Sequence, residues 1–501
     1  MTATHLVYKI HHEMTQPSLA LLTDLYQLTM GAGYWKNGLA ERRACFHLFF
    51  RKNPFGGGYA IAAGLESALD YLQRLHFGDA EIAYLRSLKG ADGGPLFEEG
   101  WLDFLAGSEL ELDVMAIPEG TVVFPHEPLL RVEGPLWQAQ LVETALLTLV
   151  NFETLVATKA ARVCRAARGP NGEQEGVLEF GLRRAQGLDG GLSASRAAFV
   201  GGCSGTSNVL AGQRFGIPVR GTHAHSWVMT YPTEREAFEA YARAFPNNCI
   251  FLVDTYDTLE GVRTAVEVGR ELRARGHEMV GVRLDSGDLA ALSKGARAIL
   301  DEGGFPDAKI VASNSLDEYR IEAHKAEGGL VQVWGVGTRL STCWDQPALG
   351  GVYKLAAIQG ADGEWEPRIK LSETPIKISI PTRQQVRRFH GPDGTFLADA
   401  IYDEATGFTE RHLVHPEDAE DRFEVPEDAP FEDLLVPVIE RGRRVYDAPP
   451  IRDLRARALA QQERLPPDVA RSREPARYFA GLEEDVWKLR QTLIEAKERR
   501  P

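Results

Sequence analysis

Between residues 177 and 358 short apolar runs recur at intervals of roughly 20 to 30 residues, and this rhythm constrains the fold more than any other feature of the chain. The runs are VLEF (177–180), AAFVGG (197–202), IPVRGT (217–222), CIFLVD (249–254), MVGVRLD (279–285), KIVASN (309–314), VQVWGVG (331–337) and GVYKLAAI (351–358). Between most of them lie stretches such as TLEGVRTAVEVGRELRARG, with apolar residues three and four apart and a glycine stop. Strands alternating with amphipathic helices imply βαβ units and a parallel sheet. About eight evenly spaced runs fit an α/β fold closed into a (β/α)8-like barrel better than an open sheet.

The flanks break the rhythm. Residues 1–155 read as an N-terminal α+β domain, 156–366 as the barrel, and 367–501 as a C-terminal region that packs back on the N-terminal domain and ends in helices. The last stretch, LEEDVWKLRQTLIEAKERR, carries Glu-to-Lys/Arg pairs at helical spacing and reads as a solvated face.

Composition narrows the class. The net charge of −15 argues against a nucleic-acid or anionic-membrane surface, while leaving room for a local phosphate pocket. Cys45, Cys164, Cys203, Cys249 and Cys343 are scattered with no C-x-x-C, which suits reduced thiols and a cytoplasmic setting. The opening MTATHLVYKIHHEM has no apolar core of a signal peptide, and no apolar run approaches the ~20 residues of a membrane helix.

In a parallel barrel the working residues stand at the carboxyl ends of strands. Here those ends read Glu179 to Arg184, Ser204 to Ser207, Thr222 to Ser226, Asp254 to Asp257, Arg283 to Asp288, Ser313 to Ser315 and Gly335 to Arg339. So many polar ends together point to an active site. Each also has a plainer reading. Ser315 and Glu318 have capping-box spacing, while Ser286, Asp288, Asp254 and Asp257 can all begin helices. The Gly335–Thr338 loop, after the seventh strand by this count, is placed to bind phosphate. His223 and His225 share a strand face, as in metal-dependent barrel hydrolases, but no further histidine stands at a strand end. No G-x-x-x-x-G-K-[ST] loop and no G-x-G-x-x-G after a strand is present.

Taken in order, LLTDLYQLTM (21–30), EFGLRRAQG (179–187), GTSN (205–208), GTHAHSWVM (221–229), RLDSGDL (283–289), ASNSLDE (312–318), GVGTRLSTCWDQPALGGVYKL (335–355), RIKLSETPIKISIP (368–381) and GRRVYD (442–447) resemble the nicotinate phosphoribosyltransferases over most of the chain. The resemblance implies a type II phosphoribosyltransferase, an irregular (β/α)8-like barrel with flanking N- and C-terminal α+β domains. Such an enzyme joins nicotinate to 5-phosphoribosyl 1-diphosphate, yielding nicotinate mononucleotide and diphosphate at the first step from nicotinic acid to NAD. ATP hydrolysis is coupled through a phosphohistidine, here His225, and Mg²⁺ is used, with Asp254 and Asp285 as its implied ligands. Tyr26 and Phe180 would sandwich the pyridine ring, and Arg283, Thr222 and Ser207 would hold its carboxylate. Arg183, Ser313, Asn314, Gly335, Gly337 and Thr338 would take phosphate and ribose. The resemblance also implies a homodimer in which the partner's N-terminal segment completes each site. A serine at position 207, where related nicotinamide enzymes carry aspartate, favours the acid over the amide. The alternatives are the nicotinamide or quinolinate version of the chemistry and, from another class, the H-x-H metal hydrolase.

Overall fold

The computed structural model describes residues 18–169 and 171–498. The opening segment read for a signal peptide, and the end of the last helical stretch, lie outside them. Three larger sheets organise these residues. The central one has six parallel strands, in the order Gly205–Thr206, Gly176–Glu179, Val333–Val336, Lys309–Ala312, Gly281–Leu284 and Ile250–Leu252. Amphipathic helices follow most of them, including Thr258–Ala274, Leu289–Glu302 and Glu318–Ala326.

The segment 218–223 joins the two edges of this sheet. On one side Thr206 N–H donates to Pro218 O at 3.0 Å and Arg220 N–H to Thr206 O at 2.9 Å. On the other, the Thr222 hydroxyl donates to Ile250 O and Leu252 N–H to His223 Nε2. This segment thus bridges the two edge strands, and an irregular stave, third in chain order, replaces the regular strand expected at 217–222. Counted this way, the Gly335–Thr338 loop follows the seventh stave.

Two expected strands are something else. The run at 197–202 ends the helix Gly187–Val200, whose Ala194, Ala197 and Ala198 are buried. A short, fully apolar run does not by itself distinguish a core strand from a buried helix. The run at 351–358 becomes Val352–Gln359, which leaves the parallel sheet and pairs antiparallel with Arg43–Phe49. That second sheet has seven strands and takes in Val436–Glu440 from the C-terminal region, paired with Asp113–Ala116. The third sheet has six strands between residues 384 and 483.

The long helix Glu143–Ala166 packs along Gly187–Val200 and ties the layers together through buried charges. Arg196 reaches Glu119 at 2.6 Å and Glu153 at 2.8 Å. Lys159 and Arg162 meet Glu318 at 2.7 and 2.8 Å. Removing one member of such a cluster leaves an uncompensated buried charge, so these pairs hold the helices in one register. The final helix, Glu484–Glu498, is not merely a solvated face. Arg490 is buried and donates to the carbonyls of Ser379, Pro416 and Ile378. Among the described residues no helix is long and apolar enough to cross a membrane.

Candidate active site

Two adjoining cavities open within the parallel sheet, the second at the carboxyl ends of its strands and the first reaching toward their amino ends at Gly176, Val280, Lys309 and Val333. One, of about 340 Å³, runs from Phe180, Thr222 and Arg283 down between apolar strand residues such as Leu178, Ile250 and Val311. The other, of about 260 Å³, is walled by Arg183, Arg184, Asp285, Ser313, Asn314 and the Gly335–Thr338 loop. Phe180 and Arg283 belong to both. A mostly apolar cavity thus opens beside a polar chamber, with the Arg283 guanidinium at their junction.

Phe180 is held tightly. Its N–H donates to Val336 O at 2.8 Å, and its ring lies against the bare backbone of Gly335. A Cβ built at Gly335 would stand 2.7 Å from Phe180 Cδ2. Gly335 therefore makes room for the ring, a role distinct from the phosphate-binding one expected from the loop.

Glu179, the residue before Phe180, is fully buried. Its carboxylate accepts from Ser195 Oγ at 2.9 Å, Thr206 Oγ1 at 2.6 Å and the N–H of Gly181. It ties its own strand end to the neighbouring strand Gly205–Thr206 and to the helix Gly187–Val200. Sequence reasoning noted its position but gave it no role; an acid closing an apolar strand is the signal that could have found it.

Arg283 is half-buried, and its partial burial lowers its pKa against the raising influence of Asp285 and Asp254. Its Nε has no partner among the described residues. A half-buried guanidinium with an unpartnered Nε at a cavity wall is suited to a carboxylate or phosphate.

His225 opens the short helix His225–Met229. Its Nδ1 is 3.2 Å from Thr255 Oγ1, leaving Nε2 4.0 Å from Asp254 Oδ1 and 3.8 Å from Asp285 Oδ2. Asp254 does not cap a helix. Its Oδ2 accepts from Asp285 N–H at 2.8 Å and Ser286 Oγ at 2.7 Å, while its Oδ1 is buried without a partner. Ser313 donates to Asp285. Neighbouring Glu234 is pushed up to about 7 by burial and by the charges of Asp254 and Asp257. Thr255 and Ser286 stand in strand ends read from the sequence, though the resemblance gave them no role; Glu234 joins the site by tertiary contact alone.

The plainer readings divide. Asp257 and Asp288 do cap helices, accepting from Glu260 N–H and Ala291 N–H. Ser315 does not: Asp317 caps that helix at Arg320 N–H, and Ser315 lines the polar cavity instead. Asn314 and Ser315 have φ of 92° and 50°, a strained conformation of the sort found at working sites. The H-x-H pair does not form a metal site. His223 Nε2 accepts from Leu252 N–H and its Nδ1 lies 3.4 Å from Ala224 O, so both ring nitrogens are engaged by backbone. Burial lowers His223 to about 4. Among the described residues Glu410, His412 and Glu484 form the one three-residue group spaced for a metal ion, none of them in the rim walls.

Four expected residues are not in the walls of either cavity: His225 and Asp254, which lie beside the wall residue Asp285, and Ser207 and Tyr26. Ser207, half-buried, has its N–H on Glu179 O at 2.9 Å. Tyr26 lies on the helix Leu25–Lys36 and is 48% exposed.

Comparison with known proteins bears on the whole chain. Residues 21–151, 176–387 and 383–490 match the profiles of the nicotinate phosphoribosyltransferase N-terminal domain, family and C-terminal domain. The nicotinate phosphoribosyltransferase of Bacillus subtilis is 44% identical over 491 residues, covering 96% of each chain. That of Dictyostelium discoideum is 39% identical over 525 residues, covering 93% of this chain and 87% of its own. The crystal structure of human nicotinic acid phosphoribosyltransferase superposes with a TM-score of 0.80 at 35% identity, covering 94% of this chain and 99% of the other.

Proposed function

This chain belongs to the nicotinate phosphoribosyltransferase family, and on that premise we propose how its strand-end rim carries out the reaction. The observation that carries the proposal is that Phe180 and Arg283 stand at the junction of a mostly apolar cavity and a polar chamber walled by Arg183, Ser313 and Asn314. The pyridine ring of nicotinate lies on Phe180, its carboxylate meets the unpaired edge of Arg283, and Thr222 borders it. The 5-phosphate and diphosphate of 5-phosphoribosyl 1-diphosphate occupy the chamber of Arg183, Ser313, Asn314, Gly337 and Thr338. The ring nitrogen forms a bond to ribose C1 as the C1–O bond to diphosphate breaks, and the electron pair of that bond leaves with diphosphate. Asp254 and Asp285 lie where positive charge develops on the ribose and stabilise it.

Nicotinate is favoured over the neutral amide because the cation at the junction rewards a charge. The metal hydrolase is disfavoured because His223 is committed to backbone.

His225 takes the γ-phosphoryl group of ATP. With Nδ1 turned to Thr255, Nε2 is the free nucleophile: an Nε2–P bond forms, the bond to the γ-phosphorus breaks, and ADP leaves. Water later cleaves the phosphohistidine. The two carboxylates beside Nε2 favour the cationic ring that results. The orphaned Oδ1 of Asp254 and the nearby Asp285 fit Mg²⁺, which supplies charge neutralisation of phosphate oxygens when bound. The protein works as a homodimer in the cytoplasm, the partner's copy of the Tyr26 helix covering the open ring face. Five free, buried cysteines suit that compartment.

The test is release of diphosphate and ADP with nicotinate present and absent, for the natural protein and for His225→Ala. The variant is expected to form nucleotide slowly while losing ATP stimulation and acid-labile phosphate incorporation. Incorporation at the natural level would remove His225 from this role.

A further inference from the structure

A third concavity, of about 470 Å³, shares no wall residue with the two rim cavities. Its walls include Arg162 and Arg165 from the long helix, Glu322 from the helix Glu318–Ala326, and the consecutive residues Arg471, Ser472 and Arg473. Four guanidinium groups thus face one carboxylate in a chain whose net charge is −15.

The cations fall into two kinds. Arg162 is fixed by the fold, donating to Glu318 Oε1 at 2.8 Å, the Tyr319 hydroxyl at 3.0 Å and Ser472 O at 2.9 Å. Arg473 lies over the Tyr319 ring, 4.5 Å from its centroid, and 3.9 Å from Glu322. Glu322 is further engaged by the Ser472 hydroxyl. Arg165 and Arg471, by contrast, have no side-chain hydrogen bond or ion pair among the described residues. Nor do the backbone N–H groups of Arg471, Ser472 and Arg473 donate to anything there.

Gathering like charges around a cleft raises the energy of the folded chain unless an anion offsets it. Unpaired guanidinium forks beside a run of free backbone N–H groups match phosphate oxygens. The aromatic wall residue Tyr59 is only 2% exposed and its hydroxyl pairs with Gln462, so it offers no face for a nucleobase. We propose that this cleft is a second anion site, separate from the catalytic rim, that binds a small phosphate-bearing molecule of the diphosphate class through Arg165, Arg471 and the 471–473 backbone.

The experiment is isothermal titration of the full-length enzyme with inorganic diphosphate. Two binding events per chain are expected. Arg183→Ala removes the rim event and leaves the other. Arg165→Gln combined with Arg471→Gln weakens the cleft event at least tenfold and leaves nicotinate turnover and the thermal midpoint unchanged, since neither side chain is bonded to the fold. A single event per chain, abolished by Arg183→Ala, overturns the proposal. So does a second event whose affinity is unchanged in the glutamine pair. Turnover and cleft binding are read separately, so failure of the rim mechanism and failure of this site are distinguishable.

Discussion

Gly335→Ala adds one methyl group where the structure leaves no space for it. Gly335 sits in a parallel strand, paired with Leu178, at an ordinary backbone conformation, so the perturbation is purely steric. The new Cβ would stand 2.7 and 2.8 Å from Phe180 Cδ2 and Cε2, and 3.3 Å from Ser313 Cβ. Carbon atoms in contact settle at about 3.5–4.0 Å, so the ring has to retreat by about 1 Å. Its backbone cannot follow, because Phe180 N–H is bonded to Val336 O. The ring therefore rotates into the cavity it lines. Overpacking of this kind costs about 1–3 kcal/mol, divided between the stability of the fold and the binding of the pyridine ring. The expected outcome is a fall in nicotinate kcat/KM of roughly five- to a hundredfold, with a lowered urea midpoint. Gly335→Ala combined with Phe180→Leu, which removes the clashing ring edge, should restore the midpoint without restoring kcat/KM. The assays are steady-state kinetics at varied nicotinate and equilibrium unfolding on the same preparations. Kinetics within twofold of the natural protein and an unchanged midpoint would refute the view that Gly335 exists to admit the ring.

The resemblance implies that Ser207 holds the substrate carboxylate; on that expectation Ser207→Asp should lower kcat/KM for nicotinate at least tenfold, about 1.4 kcal/mol, while nicotinamide use rises relative to it; an unchanged ratio of the two substrates would show that position 207 does not face the ring substituent. Tyr26→Ala should raise the nicotinate KM, with a loss of about 1–3 kcal/mol in kcat/KM, and sedimentation should find a dimer; a fully active monomer is the contrary result. His223 accepts the Leu252 N–H and is held to about 4, below its ordinary 6.5. The unfolded chain takes up that proton more readily, so stability present above pH 6.5 is lost as pH falls toward 4, on the order of 3 kcal/mol in all. His223→Gln keeps an acceptor and should show a smaller fall in urea midpoint between pH 7 and 4.5; equal falls would count against the assignment.

The sequence by itself determined the class of fold and most of the rim. Five of its apolar runs became parallel strands because apolar periodicity is a local property, set by which residues bury on a pleated surface. Their polar ends are likewise written in consecutive residues, and Phe180, Arg183, Arg283, Ser313 and Thr338 do line the cavities there. Tertiary structure decided the rest. Whether 197–202 is strand or helix, and which sheet receives 352–359, depends on partners far away in the chain. Glu179 became a buried hub only because Ser195 and Thr206 arrive to donate to it. His223 was separated from His225 by a single backbone N–H from Leu252, and the paired carboxylates came to face His225 because strands 30 residues apart in sequence lie side by side. Local patterning records what each residue can bury; only the packed chain fixes which distant group it will touch, and the chemistry of the rim depends on those contacts.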